Sequence, residues 1–477
     1  MRPKSDPKVK VVQAKLKLFN SRSRQIEDFI PRQGNQVGLY TCGPTVYSYA
    51  HIGNMRAYVF ADTLRRALIN FGYELTHVMN ITDVGHLTDD ADSGDDKMEL
   101  GAKREGLTAW DVAQKYTDAF FEHAGELNIT KPDVICKATD HIGEQIKMVQ
   151  DLEARGFTYS TADGVYFDTS KFTDYAKFAR LDVEGLNEGH RVEASDKKQK
   201  TDFALWKLSN PEDKRAMEWD SPWGRGFPGW HIECSAMATH FLGTQFDIHT
   251  GGIDHIPVHH TNEIAQAECA LEVHPWVNFW MHCEFLVIED AEKMSKSLGN
   301  VLTVASLKDE GVDPRAYRLL LLQSHYRKQL KFSMENLKSA QKFLSRLVAS
   351  VDLIKNADEE PLGAAETYVE TLYAAIADDL STPTAVAQLG AMLDDEKLAP
   401  GQKRAAWQRF ESLLGLELQN PIMQSQAPNE VLEYLAQRNQ ARKDKNWGEA
   451  DRLRDLIHQA GYEILDGGDG SSSVRKK

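Results

Sequence analysis

The first part of the chain distributes its apolar and polar positions in the order strand, helix, strand. Residues 37–49 (VGLYTCGPTVYSY) combine an apolar run with a Gly-Pro pair, which predicts a strand that ends in a tight loop. Residues 52–71 place apolar side chains three and four apart, as a helix on a sheet does, and residues 73–81 are typical of a second strand. This order predicts a right-handed parallel unit that begins a nucleotide-binding α/β domain, with ligands beyond the carboxyl ends of its strands.

The remaining segments follow other patterns. Residues 130–224 mix short apolar runs, turns and a charged tract, so we interpret them as an insertion. The pattern of the sheet returns around Trp230 and continues to about Leu286. From Pro314 to about Leu418 the periodicity is almost wholly helical, and a linker bracketed by prolines precedes a small terminal unit.

Composition excludes several classes of protein. With 477 residues, 42% hydrophobic and 27% charged, the chain is not globally disordered and is long enough for several domains. A net charge of -15 excludes a generally basic nucleic-acid coat but leaves room for a local basic face. No apolar run approaches the ~18–20 residues that cross a bilayer, and residues 1–12 lack the apolar core of a secretory signal. Five scattered cysteines argue against a disulfide framework, so we expect a soluble cytoplasmic protein with reduced thiols.

An acidic segment follows the second predicted strand. Residues 83–99 hold seven acidic side chains against one lysine, which favours a solvated surface loop. A metal site built from His86 and the aspartates is the alternative.

The segment HHTNE at 259–263 is a candidate metal-binding motif. On a helix, His259 and Glu263 lie on one face at i and i+4, so both can reach one ion, and His260 at i+3 from Glu263 is almost as well placed. Most such pairs are surface ion pairs, and Cys42 and Cys234 are too far apart in the chain for a CxxC metal motif. Polar and aromatic residues crowd near Cys234, in GWHIECSAM and HTGGID, and favour a site.

Two further segments are suited to phosphate. His51 and Asn54 of HIGN stand where the first loop becomes a helix, and free N–H groups and the helix dipole favour an anion there. The alternative for His51 is a simple helix cap. In KMSKS, Lys293 and Lys296 flank Ser295 in a cationic loop suited to a pyrophosphate leaving group, although a solvated basic turn has the same composition.

These motifs together resemble the class I aminoacyl-tRNA synthetases, and among them the cysteinyl-tRNA synthetases. The resemblance extends from residue 40 to the C-terminus, and Cys42 and Cys234 with HHTNE separate this family from its class I relatives. The matching stretches are YTCGPTVYSYAHIGN, NITDV, DFALWK, SPWGRGFPGWHIECSAM, FDIHTGG, HHTNEIAQAE, KMSKSLGN, SHYRKQLKFS and ARKDKNWGEADRLRDLI.

The resemblance implies one zinc ion per subunit, held by Cys42, Cys234, His259 and Glu263. It is the resemblance that selects His259 over His260. Zinc binds sulfur well and takes the substrate thiol as thiolate, whereas the hydroxyl of serine is a poor ligand. One strong polar contact of this kind can discriminate by ~10⁴ or more, so no editing domain is required.

The resemblance also implies roles in substrate binding. Thr82, Trp230 and His249 match residues that line the cysteine pocket, although each can equally be a core residue. The substrate carboxylate attacks the α-phosphate of ATP, which is accompanied by Mg²⁺, and the adenylate then acylates tRNA(Cys). In this scheme the triphosphate is bound from one side by His51 and Asn54. It is bound from the other side by Lys293, Ser295 and Lys296.

The last forty residues carry a local excess of positive charge. From 438 to 477 there are nine basic and seven acidic side chains, and Trp447 interrupts the basic run. By resemblance, Trp447 stacks in the anticodon loop while Asp451, Arg454 and Asp466 read base edges. A core tryptophan that caps a helix is the alternative.

The patterns and the resemblance together predict an α/β protein with a class I Rossmann-like catalytic domain, an insertion, a helical bundle and a C-terminal tRNA-binding unit. A monomer is expected. The first motif ends in Asn54 where the family more often has histidine, so that position cannot carry a charge. The alternatives are a cysteine ligase that acts on an amino-sugar inositol, as in mycothiol synthesis, and an inactive synthetase-like RNA-binding module. The predicted divisions are the catalytic domain in two halves (1–129 and 225–290), the insertion (130–224), the KMSKS loop and stem-contact region (291–345), the helical bundle (346–425) and the anticodon-binding domain (430–477).

Overall fold

The fold is described from a computed structural model. It describes residues 15–89, 93–180, 197–210, 215–288, 302–358, 360–423, 429–466 and 472–476. The strands are β1 (Lys17–Asn20), β2 (Gln25–Asp28), β3 (Gln36–Thr41), β4 (Glu74–Ile81), β5 (Leu87–Asp89), β6 (Ser93–Asp96), β7 (Val134–Lys137), β8 (Thr158–Ser160), β9 (Gly164–Phe167), β10 (Phe203–Leu208), β11 (Gly226–Pro228), β12 (Phe246–Gly252), β13 (Val277–Cys283), β14 (Leu286–Ile288), β15 (Leu330–Phe332), β16 (Tyr462–Asp466) and β17 (Ser472–Lys476). The α-helices are α1 (Ile52–Asn70), α2 (Lys97–Glu105), α3 (Ala109–Glu126), α4 (Ile142–Ala154), α5 (Trp230–Leu242), α6 (Thr261–Leu271), α7 (Val304–Asp309), α8 (Pro314–Leu322), α9 (Met334–Ile354), α10 (Glu366–Ala377), α11 (Thr382–Asp394), α12 (Pro400–Leu414), α13 (Asn429–Lys443) and α14 (Trp447–Gln459).

A parallel sheet of five strands forms the centre of the fold, in the order β13-β12-β3-β4-β7. Leu39 and Ile248 on one face pack in the core that contains α1, whereas Tyr40 and Trp280 on the other face pack with α4, α5 and α6. Both faces are therefore covered, which is why the strands are rich in apolar residues throughout. The predicted strand, helix and strand are confirmed as β3, α1 and β4.

The segment interpreted as an insertion is divided between two sheets. β7 pairs in parallel with β4 and completes the central sheet, so the predicted boundary at 129 is too early. Its four residues are too few to carry a periodic signal. The later strands of this segment, β8, β9 and β10, form a separate antiparallel sheet with β11, which follows the segment, in the order β11-β10-β9-β8.

The helical region packs directly on α1 of the parallel-sheet domain. Arg318 of α8 and Asp62 of α1 form a fully buried ion pair of 2.6 Å, and Arg318 also donates to the carbonyl of Leu414. This pair joins α1 to two helices of the later region. Among the described residues, no helix is long and apolar enough to cross a membrane.

The C-terminal unit has a small core of its own. α13 and α14 pack against the antiparallel hairpin of β16 and β17. The core side chains are Val431, Leu435, Ile457 and Tyr462.

Candidate active site and metal centre

The loop after β3 places Cys42 at the carboxyl edge of the parallel sheet. The Cys42 N–H donates to the carbonyl of Thr250 in β12 at 3.1 Å, and the Gly43 N–H donates to Asn80 Oδ1 in β4 at 2.8 Å. A Cβ on residue 43 would lie only 1.5 Å from the Asn80 carbonyl oxygen, so this close approach requires glycine. Cys42 is therefore fixed between two strand ends, where the sequence predicts a ligand site.

Two helices on the same face supply the other candidate ligands. Cys234 lies in the first half of α5 and is buried. His259 lies in a π-helical turn, 256–260, that leads into α6, and Glu263 lies in the first turn of α6. His259 Nε2 is 2.6 Å from Glu263 Oε1, so the two side chains face each other as the i,i+4 spacing predicts.

The four predicted ligands come together. One ligand atom from each of Cys42, Cys234, His259 and Glu263 lies within 4.8 Å of the others, and all four side chains are buried. A tetrahedral zinc shell with bonds of ~2.0–2.3 Å separates its ligand atoms by ~3.3–3.8 Å. The hydrogen-bonded pair of His259 and Glu263, at 2.6 Å, would therefore move apart around an ion, while no pair of ligand atoms lies beyond 4.8 Å. Two thiols, an imidazole and a carboxylate are also the donor types that zinc takes in proteins. The residues therefore fit the ion.

A second set of ligands overlaps the first. His249 and His260 join Cys42 and Glu263 in a group whose ligand atoms also lie within 4.8 Å. The geometry thus leaves open whether His259 or His260 is the ligand, as the sequence did.

The charged groups of this cluster stabilise one another. Burial alone would raise the pKa of Glu263, but the imidazoles of His249 and His259 outweigh burial and hold it well below its usual range. Burial likewise would lower the pKa of His259, yet Glu263 and Cys234 raise it to about 10. In the absence of a metal the carboxylate therefore pairs with an imidazolium.

The pKa values of the two thiols shift in opposite directions. Burial raises the pKa of Cys42 well above its usual value, whereas the hydrogen bond from Cys42 lowers the pKa of Cys234. Thiols and imidazoles bind zinc in their deprotonated forms, so metal binding here requires release of protons. With every ligand deprotonated, the buried site carries three negative charges, which a divalent cation would largely offset.

His249, predicted to line the cysteine pocket, contacts the cluster through Glu263. It is fully buried, its Nε2 lies 2.7 Å from Glu263 Oε2, and its ring stacks on Trp280 at 4.6 Å. It lies behind Glu263, and its role in the cysteine pocket stays a prediction.

A chain of imidazoles that we did not predict continues from Cys42. His260 Nε2 is 3.3 Å from Cys42 Sγ, His260 Nδ1 is 2.7 Å from His282 Nε2, and His282 Nδ1 is 2.7 Å from Ser21 Oγ. The sequence signal was the density of histidines between residues 249 and 282, but only the sheet brings them into line.

An open cleft of about 410 Å³ runs from Cys42 to the start of α1. His51 and Asn54 line it and form a capping box: Asn54 N–H donates to His51 Nδ1, and His51 N–H donates to Asn54 Oδ1, both at 3.1 Å. Burial lowers the pKa of His51, so the ring is neutral near pH 7. Because Nδ1 accepts a hydrogen bond, the proton lies on Nε2, which is then a donor for a ligand. His51 is thus both a cap and a candidate phosphate ligand.

Trp230 and Thr82 lie beside the cleft. Trp230 is partly buried, and its ring lies 4.4 Å from that of His259. Thr82 is buried and donates to Glu233 Oε2 at 3.1 Å, so its hydroxyl proton is already engaged. Lys97, which we did not predict, lines the cleft, and its ammonium group lies 5.8 Å from the Trp230 ring centre.

The acidic segment after β4 is not simply a solvated loop. His86 is buried, and its Nε2 lies 2.5 Å from Glu233 Oε1, so it bonds a helix residue rather than the neighbouring aspartates. Asp83 is also buried and accepts from the Thr139 N–H and hydroxyl. Asp96 caps α2 and forms a 2.6 Å ion pair with Arg215. These partners come from distant parts of the chain, which composition alone does not identify.

The KMSKS motif, with Lys293, Ser295 and Lys296, lies outside the described residues.

The candidate tRNA-binding residues lie in the C-terminal unit. Trp447 begins α14 and is 60% exposed, so the alternative of a core tryptophan is wrong. Asp451 and Arg454 form an exposed ion pair at 3.1 Å. Arg438 donates hydrogen bonds to both carboxylate oxygens of Asp466, at 3.0 and 2.9 Å, and these bonds lower the pKa of Asp466. Trp447 is therefore available for stacking, whereas Asp466 is already engaged within the protein.

Comparison with solved structures supports the fold. A methionyl-tRNA synthetase of Mycobacterium tuberculosis bound by methionyl-adenylate has a TM-score of 0.54 at 14% identity, covering 80% of this chain and 88% of that chain. A LeuRS-tRNA-LeuAMS ternary complex from Agrobacterium radiobacter K84 has a TM-score of 0.57 at 13% identity, covering 82% of this chain and 84% of that chain. At such low identity these matches show the fold alone.

Sequence comparison identifies the family. The family model described as the class I (C) tRNA synthetase catalytic domain matches residues 28–342. Cysteine–tRNA ligase 1 of Burkholderia lata is 47% identical over 95% of this chain and 96% of its own. The cysteine–tRNA ligase of Zymomonas mobilis is 43% identical over 94% of this chain and 96% of its own. The cysteine–tRNA ligase of Treponema denticola is 41% identical over 97% of this chain and 99% of its own. This agreement over nearly the whole length, together with the fold and the motifs, means that the chain belongs to the cysteine–tRNA ligase family of class I aminoacyl-tRNA synthetases.

Proposed function

We propose that this protein activates L-cysteine with ATP to form cysteinyl-adenylate and transfers the cysteinyl group to tRNA(Cys). The observation that carries the proposal is one cleft that joins Cys42 of the thiol, imidazole and carboxylate cluster to the capping box of His51 and Asn54. A sulfur-recognising site and a phosphate-binding helix terminus thus open into the same space. Relatives named cysteine–tRNA ligases over nearly the full length support the same activity.

We further propose that the cluster is a zinc site with Cys42, Cys234, His259 and Glu263 as its ligands. Zinc, when bound, would supply a soft Lewis acid that selects a substrate thiolate over a hydroxyl. The protein contributes the orientation of the ligands: His249 holds the second oxygen of Glu263, and the strand ends hold the backbone of Cys42. Such supporting contacts keep ligands in the geometry that a metal requires.

The start of α1 is suited to the phosphates of ATP. The Nε2 donor of neutral His51 and the positive end of the helix dipole both favour an anion there. Attack of the cysteine carboxylate oxygen on the α-phosphorus forms the acyl-phosphate bond, and cleavage of the bond to the β-phosphate releases pyrophosphate. We assign Lys293 and Lys296, with Ser295 between them, to the departing pyrophosphate. Mg²⁺ accompanies ATP as part of the substrate.

Substrate positioning and tRNA recognition complete the proposal. Trp230, beside His259, forms an apolar wall for the substrate side chain. Thr82, whose hydroxyl proton is donated to Glu233, accepts a hydrogen bond from a polar group of the substrate. Exposed Trp447 stacks an anticodon base, and Asp451, Arg454 and Asp466 lie on the same small unit. We also propose that the protein is located in the cytoplasm, where its five unpaired cysteines would stay reduced. We propose that it acts as a monomer, because the resemblance implies that oligomeric state.

Two linked assays test the function. We expect cysteine-dependent exchange of pyrophosphate into ATP, followed by charging of tRNA(Cys) and not of an amino-sugar inositol. Absence of exchange would contradict the enzyme assignment and leave an RNA-binding module. Exchange without charging of tRNA would favour the small-molecule ligase.

A further inference from the structure

A second group of metal-ligand side chains lies at the ends of α4 and α5, away from the cleft. His141 directly precedes α4, Glu144 lies in the first turn of α4, and His240 lies in the last turn of α5. One ligand atom from each residue lies within 4.8 Å of the other two. The proposed function uses none of the three.

The distances within this group match a metal shell better than hydrogen bonds. Glu144 Oε1 is 3.5 Å from His141 Nδ1 and 3.4 Å from His240 Nδ1. Hydrogen bonds between nitrogen and oxygen are shorter, typically ~2.7–3.2 Å. Zinc bonds of ~2.0–2.2 Å to nitrogen and oxygen place two tetrahedral ligands ~3.3–3.6 Å apart. One carboxylate oxygen thus lies at ligand-to-ligand distance from both imidazoles.

His141 carries a buried nitrogen, Nδ1, without a hydrogen bond among the described residues. An unsatisfied buried nitrogen costs free energy. A cation between the three residues would take this nitrogen as a ligand and remove that cost.

The surroundings keep the ligands in place and leave room for solvent. The His141 ring contacts the His240 ring and the edge of Phe241, each with centres 5.2 Å apart, which restricts its rotation. The side chains of Glu144 and His240 are 37% and 45% exposed, so an ion can enter from solvent and keep a water ligand. Three protein ligands and one open position is a common arrangement for zinc.

We propose that His141, Glu144 and His240 form a second binding site for a divalent transition-metal ion of the zinc type. Two imidazoles and one carboxylate favour such an ion over Mg²⁺ or Ca²⁺, which prefer oxygen ligands. A bound ion joins α4 to the end of α5. Cys234 lies six residues earlier on α5, ~9 Å along the helix axis, so the ion would steady the helix that carries a ligand of the first site.

Metal titration tests this site independently of the enzymatic activity. The wild type, loaded at its first site and then desalted, is titrated with Zn²⁺, and bound zinc is counted by elemental analysis. We expect one more zinc per chain than in His240→Ala. Because loss of even an outer partner of a ligand weakens metal binding by about 10–100-fold, loss of the imidazole should cost at least tenfold in affinity.

Further variants and a spectroscopic probe test the assignment. As a control, His458→Ala removes an exposed histidine of α14 and should leave binding of the second zinc unchanged. Glu144→Gln keeps the shape of the side chain but removes its charge, so it should weaken binding of the second zinc. With Co²⁺, only the first site should give thiolate-to-metal charge-transfer absorption, and the second equivalent should add none. Equal zinc uptake and affinity in the wild type and His240→Ala would overturn the proposal, whether or not the protein charges tRNA.

Discussion

His249 Nε2 lies 2.7 Å from Glu263 Oε2, and both side chains are fully buried. β12 carries the histidine and α6 carries the carboxylate, so this contact joins the sheet to the helix that supplies the metal-ligand candidates. It leaves the other carboxylate oxygen to face His259, 2.6 Å away. The orientation of Glu263 is thus set by two histidines from different elements.

Replacement of His249 by alanine should weaken metal binding without removing a ligand of the predicted set. Glu263 would lose its partner, and loss of such a support costs about 10–100-fold in metal affinity. Zinc affinity, measured by competition with a chelator, should fall accordingly, and the KM for cysteine should rise more than the KM for ATP. Unchanged zinc affinity would mean that Glu263 needs no support from His249. A complete loss of zinc would instead favour the alternative set, in which His249 is itself a ligand.

Cys42→Ser should lower both zinc content and substrate selectivity. We expect close to one zinc per chain in the wild type at the first site and a sharp loss in the variant, because a hydroxyl is a poor zinc ligand. Selectivity for cysteine over serine in pyrophosphate exchange should fall from ~10⁴ toward ~10². Cys269→Ser is a matched control, since Cys269 is buried but lies outside the cluster. Full zinc retention by Cys42→Ser would remove Cys42 from the ligand set.

His51 variants can separate the cap from the phosphate ligand. His51→Ala should lose about 1 kcal/mol of stability with the cap and about 10²–10³ in the rate of adenylate formation with the donor. His51→Asn should restore the cap, because asparagine is a favoured N-cap residue, without restoring the imidazole. Thermal unfolding and pyrophosphate exchange measure the two effects. Recovery of exchange by the asparagine variant would reduce His51 to a helix cap.

The buried pair of Asp62 and Arg318 should make stability depend on pH. Burial would raise the pKa of Asp62, but Arg318 and Arg66 outweigh it and lower the pKa to about 2. Because the folded pKa lies below the unfolded value, this stabilisation is present above pH ~4 and is lost as pH falls through about 2. Its size is on the order of 2 kcal/mol. The thermal midpoint of Asp62→Asn should therefore be lower near pH 6, and its decrease between pH ~4 and 2 should be smaller.

Asp352→Asn provides the control for that measurement. Its side chain is 66% exposed and pairs with Lys355 on the surface, where ion pairs contribute about 0–1 kcal/mol. An identical pH dependence in Asp62→Asn and the wild type would contradict the proposed contribution of the buried pair.

Trp447→Ala should impair charging but not activation. Loss of one stacked base costs about 1–3 kcal/mol, so the KM for tRNA should rise by roughly 5–150-fold while pyrophosphate exchange is unchanged. Trp110→Ala, at another partly exposed tryptophan, should leave the KM for tRNA as in the wild type. An equal effect of the two substitutions would argue against a role of Trp447 in stacking.

The sequence by itself determined the local elements and the chemistry that they carry. The spacing of apolar residues around α1, the tight loop at Cys42 and the i,i+4 pair of His259 and Glu263 are properties of short segments, because helix and strand periods are set by the backbone. The motifs identified the family for the same reason, since each is a contiguous run of residues.

Only the tertiary structure decided which distant side chains meet. Glu233 receives hydrogen bonds from Thr82 and His86, Asp96 pairs with Arg215, and β7 joins the central sheet, and none of these leaves a periodic signal in the sequence. Partners such as these are chosen by the crossing of strands and helices, where a buried polar group must find whichever partner the fold brings within reach.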